Sequence, residues 1–106
     1  MYKVTIILPV NYNDGEEIPQ AEFARCLDMI ESVAGGYTDD GLCHGSYRMD
    51  NGEICRELCH KVWAVVEDAN KVYDLRQYTK TMASLLRQES IYFEVQEVDV
   101  SFVRSE

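Results

Sequence analysis

Little in this chain interrupts regular structure. Proline occurs only twice in 106 residues, and tryptophan once. Continuous helices and strands are therefore open to it, since proline is the residue that breaks them. Long apolar runs are absent: none approaches the ~20 residues that a bilayer-spanning helix needs. The opening stretch MYKVTIILPV has no small-residue cleavage site and alternates like a strand rather than a secretion signal. A cytoplasmic protein is expected, with its four cysteines reduced. Positive charge is scarce, ten Lys and Arg against nineteen Asp and Glu, for a net charge of -9. Phosphate backbones and anionic lipid surfaces are repelled by such a surface. Neither nucleic acid nor membrane is expected as a partner. An acidic mimic of nucleic acid stays as a third reading, although no regular row of carboxylates appears. Gly-x-Gly-x-x-Gly, Walker and Ser-His-Asp signatures are all missing, and no cofactor is expected.

Periodicity is present and strong. Tyr2–Val10 places Val4, Ile6 and Leu8 on one face, a strand pattern. The segment NYNDG breaks it with turn-forming residues. Pro19 and Glu22 suit the first turn of a helix, and Phe23, Cys26, Leu27, Ile30, Val33 and Ala34 follow as its apolar stripe. Gly35-Gly36 ends it. Asn70 is the expected cap of a second helix, with Leu75, Tyr78, Met82, Leu85 and Leu86 inward. The closing segment alternates as Ile91, Phe93 and Val95, then changes phase to Val98, Val100 and Phe102. A bulge near Gln96-Glu97 would reconcile the halves.

Between the helices lies GLCHGSYRMDNGEICRELCH, residues 41–60. Asn51-Gly52 is a strong hairpin signal, because both residues tolerate the positive φ of a two-residue type I′ turn. A two-residue turn sets Met49 opposite Ile54, Cys43 opposite His60, and His44 opposite Cys59. Cys43 and His60 then share the core face with Val62, Ala64 and Val66. His44, Cys55, Cys59, Trp63 and Val65 share the other. The whole order, strand–helix–hairpin–helix–strand, is the α+β ferredoxin-like βαββαβ plan in one domain over residues 1–106: four antiparallel strands with two helices on one face.

That plan leaves one sheet face bare, so a homodimer or another protein is expected to cover it. No metal site is expected within one chain. Cys55 and Cys59 are about 13 Å apart on a strand at ~3.3 Å per residue, too far for one ion. The remaining arrangement joins two copies, each giving one His44 and one Cys59. Acids in NYNDGEE lack calcium-loop spacing, and adjacent Asp39 and Asp40 point apart. No catalytic residue is assigned, and the expectation leans away from an enzyme.

LPVNYNDGEEIP, a helix ending in GGYT, the NG hairpin and the closing strand IYFEVQEVDV together resemble a group of small uncharacterised bacterial and phage proteins. Val33-Ala34 stands where that group carries Phe before the glycines. The resemblance implies the same fold and no particular activity. The leading reading is thus a binding or interaction protein acting through its open sheet face. The alternative is a small-molecule binder or small enzyme with a pocket between dimerised sheets, lined by His44, Cys59, Trp63 and Tyr92.

Overall fold

The computed structural model describes residues 1–106. Its elements run β1 (Tyr2–Pro9), α1 (Gln20–Ala34), β2 (Thr38–Arg48), β3 (Ile54–Val66), α2 (Ala69–Leu85) and β4 (Tyr92–Glu97). The strands form one antiparallel sheet in the order β2-β3-β1-β4. This is the ferredoxin-like plan that the periodicity predicts.

The core forms where alternate strand residues meet the helix stripes. Val4, Ile6 and Leu8 of β1 and Val62, Ala64 and Val66 of β3 are buried with Cys26, Ile30, Leu75 and Met82 of the helices. Gly35 ends α1 at φ 78°, and its N–H donates to Glu31 O at 2.8 Å. Left-handed backbone of this kind favours glycine. At α2 the expectation needs correction. Asp68, not Asn70, is the cap, accepting from Lys71 N at 2.9 Å. The stripe holds at Leu75, Met82 and Leu86, which are buried, with Leu85 packed against the core; only Tyr78 departs, being exposed while Thr79 is buried. Thr79 is tolerated inside because its hydroxyl donates to Leu75 O at 2.7 Å.

The hairpin is where sequence and structure part. Met49 N–H donates to Glu53 O, and Gly52 N–H to Met49 O. The loop therefore holds three residues, Asp50, Asn51 and Gly52, with Gly52 at φ 88°. This is a turn closed by one left-handed glycine, the next commonest hairpin solution after the two-residue turn. Asn51 Oδ1 accepts from Glu53 N at 2.9 Å, so asparagine serves as a side-chain acceptor here. One extra loop residue shifts β2 by one place against β3. Cys43 lies opposite Cys59, and His44 opposite Leu58. Because faces alternate along a strand, the β2 side chains from Leu42 to Arg48 change face relative to the expectation. Cys43 leaves the core side, and His44 joins it.

The last strand is shorter than expected. β4 ends at Glu97. Val98 N–H still bonds Met1 O at 3.0 Å, and residues 99–106 pair with nothing in the chain. No helix is long and apolar enough to cross a membrane.

Ile6 is fully buried at the centre of the sheet. Ile6→Ala is expected to lower the unfolding free energy by about 2–5 kcal/mol, the usual cost of emptying a core site of this size. Urea unfolding followed by circular dichroism measures it, and a loss below about 1 kcal/mol would contradict the burial.

Candidate functional site

β3 is the ruler for the uncovered face. Its even residues lie under the helices, and its odd residues, Cys55 to Val65, point away. Pairing carries this across the sheet: Cys43, Cys59 and Pro9 form one row, Lys61, Ile7 and Tyr92 the next, then Trp63, Thr5 and Glu94. Cys59, Trp63 and Tyr92 therefore share this face. His44 does not, so the cross-strand His44/Cys59 pair and the zinc arrangement built on it are ruled out by register. No group of three or more His, Cys, Asp or Glu side chains gathers anywhere in the chain with metal-binding geometry.

A cavity of about 320 Å³ opens on the face between the hairpin and the α2–β4 connection. Tyr47, Gly45, Glu57 and Cys59 form one wall. Ile7 and Pro9 form its floor, and Gln88, Ser90, Ile91 and Tyr92 the opposite side. Trp63 is outside it, one row further along, with Lys3 Nζ 4.4 Å above its ring.

The electrostatics of the cavity are set by burial and by one carboxylate. Cys59 is 3% exposed despite facing away from the helices. Gly45 lies against its thiol: a Cβ there would stand 3.4 Å from Cys59 Sγ, at the edge of ordinary contact. The thiol donates to Glu57 O at 3.9 Å. Burial first, then the Glu57 charge and Cys43, push its pKa up to about 12. Burial likewise raises Tyr47, helped by hydrogen bonding with Cys55 and by the Glu57 charge. Both groups stay neutral near pH 7. Glu57 then supplies negative potential between aromatic and apolar surfaces. Nearby, Asp50 of the hairpin tip raises the carboxyl of Glu89 in the α2–β4 connection. Glu57 is thus the charged side chain of the lining, and Lys61, in the same row as Ile7 and Tyr92, is paired with Asp40.

A second cluster, on the helix side, was hidden from sequence reasoning. His60 Nε2 and Asp39 Oδ1 are 2.5 Å apart in a hydrogen bond. The His60 ring packs on Phe23 with centroids 4.6 Å apart. Asp39 is held below the usual carboxylate range by the Gly41 amide and, secondarily, by His60. A bulge between Asp39 and Leu42 turns Asp39 toward His60, while Asp40 reaches Lys61 at 3.6 Å. The expectation of two solvated acids pointing apart holds for their directions, not for their partners. No nucleophile or third orienting group joins the pair, so it reads as a clamp between β2, β3 and α1.

Strand order and helix placement define a small α+β domain of ferredoxin-like type. A scan against protein-family models finds no match, and a search of curated proteins finds none either. Solved structures do match. A phage SAM lyase in complex with S-methyl-5′-thioadenosine superposes with a TM-score of 0.69 at 15% identity, covering 91% of this chain and 80% of that one. CutA from Archaeoglobus fulgidus, a periplasmic divalent cation tolerance protein, gives 0.68 at 11% identity, covering 96% and 88%. The divalent cation tolerance protein of Thermus thermophilus gives 0.67, also at 11% identity, over 96% and 88%. At such identities the likeness is one of fold.

The raised Cys59 pKa has a pH consequence. A thiol is uncharged when protonated, and the folded chain holds this proton more tightly than the unfolded chain, whose thiol titrates near 9.0. The stabilisation is complete below about pH 9 and is lost as pH rises toward 12. Stability of the reduced protein is expected to fall as pH rises from about 9 toward about 12, and to fall less in Cys59→Ala. Equal slopes in urea titrations of the two proteins would contradict this.

Proposed function

We propose that this protein binds a small cationic metabolite of the S-adenosylmethionine class in the cavity on its open sheet face. Glu57 beside Tyr47 carries the reading: one carboxylate set against aromatic surface in an otherwise uncharged pocket. A sulfonium centre needs this combination. It gains from a nearby carboxylate and from the electron-rich face of a ring, and it carries no hydrogen to donate. The apolar floor of Ile7 and Pro9 and the Tyr92 ring suit a flat heterocycle such as a purine. The similar phage lyase, whose bound S-methyl-5′-thioadenosine is the neutral thioether of that class, supports trying this ligand first.

Of the four residues put forward from the sequence, Cys59 and Tyr92 line the proposed site. Trp63 lies on the same face outside it, and His44 is replaced by Tyr47 and Glu57. Self-association belongs to the same reading. Trp63 and Val65 extend the face beyond the cavity, and a neighbouring copy held in a closed oligomer would shield the pocket from water. A cytoplasmic setting fits four cysteines kept reduced.

Isothermal titration calorimetry with S-adenosylmethionine and with S-methyl-5′-thioadenosine tests the proposal. Both are expected to bind, the sulfonium more tightly. Glu57→Gln is expected to weaken the sulfonium about 10-fold, or ~1.4 kcal/mol, and to leave the thioether within about twofold. Absence of heat from both ligands at millimolar concentration would overturn it. Release of the thioether faster than from free sulfonium, with the ligand's own carboxylate closing on the departing carbon to give a lactone, read by mass spectrometry, would make the site catalytic.

A further inference from the structure

The C-terminal segment keeps a strand pattern while its end, from Ser101 onward, is exposed. Val98, Val100 and Phe102 keep the alternation of a strand, yet residues 99–106 pair with nothing. Phe102 and Val103 are each 90% exposed. An aromatic and a β-branched residue side by side in water, within a strand-like pattern, match a strand without its neighbour.

A free edge of suitable length exists on β2. That strand pairs only with β3. The pairing of Met49 with Glu53 sets the alternation, so Cys43, Gly45 and Tyr47 turn their amides toward β3. His44, Ser46 and Arg48 turn theirs outward. The distal half of this hairpin is two-stranded, because β1 reaches no further along β3 than Cys59. Two-stranded ribbons are marginal alone, and a third strand would support this one.

We infer that residues 99–104 of a second copy of this chain add as an antiparallel strand to the outer edge of β2. Charge selects the direction. β2 starts with Asp39-Asp40 and ends with Arg48, whereas the segment starts with Asp99 and reaches Arg104. Antiparallel pairing sets Asp99 against Arg48 and sends Arg104 toward the acidic end. Parallel pairing would bring Asp99 toward Asp39 and Asp40 instead. With Asp99 opposite Arg48, Val100 falls opposite Tyr47, Phe102 opposite Gly45 and Arg104 opposite Cys43. His44, Ser46 and Arg48 then make the backbone bonds, and Gly45 sits in a close, non-hydrogen-bonded pair with Phe102. A ring beside an edge glycine covers the backbone that glycine leaves bare. Val100 and Phe102 of the neighbour thereby extend the Tyr47–Gly45 wall of the open face. The contact joins different surfaces of the two copies, so it closes by reciprocal exchange or by a ring. Ligand binding at the cavity plays no part in it.

Native mass spectrometry of the reduced protein without ligand is the test. Wild type is expected as a closed oligomer of the 12.2 kDa chain. Phe102→Glu, a change at a residue already in water and so harmless to the monomer fold, is expected to run at the mass of one chain. Arg104→Cys is expected to form an intermolecular disulfide with native Cys43 on mild air oxidation, lost in Arg104→Cys/Cys43→Ser. A monomeric wild type, or an oligomer untouched by Phe102→Glu, overturns the interface. An oligomer that dissociates in Phe102→Glu but gives no such disulfide overturns the register.

Discussion

A three-residue loop at the tip of the β2–β3 hairpin decides which side chains this protein can use together. Gly52 holds the loop at positive φ, and Asn51 caps it by accepting from Glu53 N. With that geometry β2 is locked so that Cys43 meets Cys59 and Tyr47 meets Cys55. Tyr47, Gly45, Glu57 and Cys59 then share one wall of a cavity. A loop shorter by one residue would put Tyr47 on the helix side and His44 beside Cys59, and the wall would not exist. A sheet face is thus set by a turn some distance away, because side-chain direction has a period of two.

What could be read from the sequence follows the same physics. β1, α1 and the odd and even faces of β3 were legible, since each is a long apolar period bounded by turn or cap residues. The face assignment of β3 placed Cys59, Trp63 and Val65 together on the open side, as found. The β2 register was not legible from Asn-Gly alone. That dipeptide serves both a two-residue turn and the three-residue loop seen here, and the two differ by one residue of register. At α2, Asp68 and Asn70 are both competent caps, and Asp68 captures the helix earlier in the chain. The phase change after Val95 was visible as a pattern, but its cause was not: beyond Val98, which bonds Met1 O, that pattern has no backbone partner within the chain.

Tertiary geometry, rather than motif, also explains the polar features. Asp39 and His60 are 21 positions apart and meet only because a bulge in β2 redirects Asp39. No spacing rule would have paired them. Glu57 gains its significance from Gly45 and Tyr47, which belong to another strand. The net charge of -9 was read from composition as a reason to dismiss nucleic acid and membranes. Around the cavity the same acidity has a positive use, because neutral Tyr47 and neutral Cys59 leave Glu57 as the charge that a cationic guest meets.

Amide chemical-shift mapping of the uniformly labelled protein, titrated with S-adenosylmethionine, addresses the central claim most directly. Saturable shifts are expected, confined to Gly45, Tyr47, Glu57, Cys59 and the Gln88–Tyr92 segment, with α1 and the Asp39–His60 cluster unmoved. Shifts gathered on the helix layer or around His60, or none at all, would contradict a guest bound on the open sheet face.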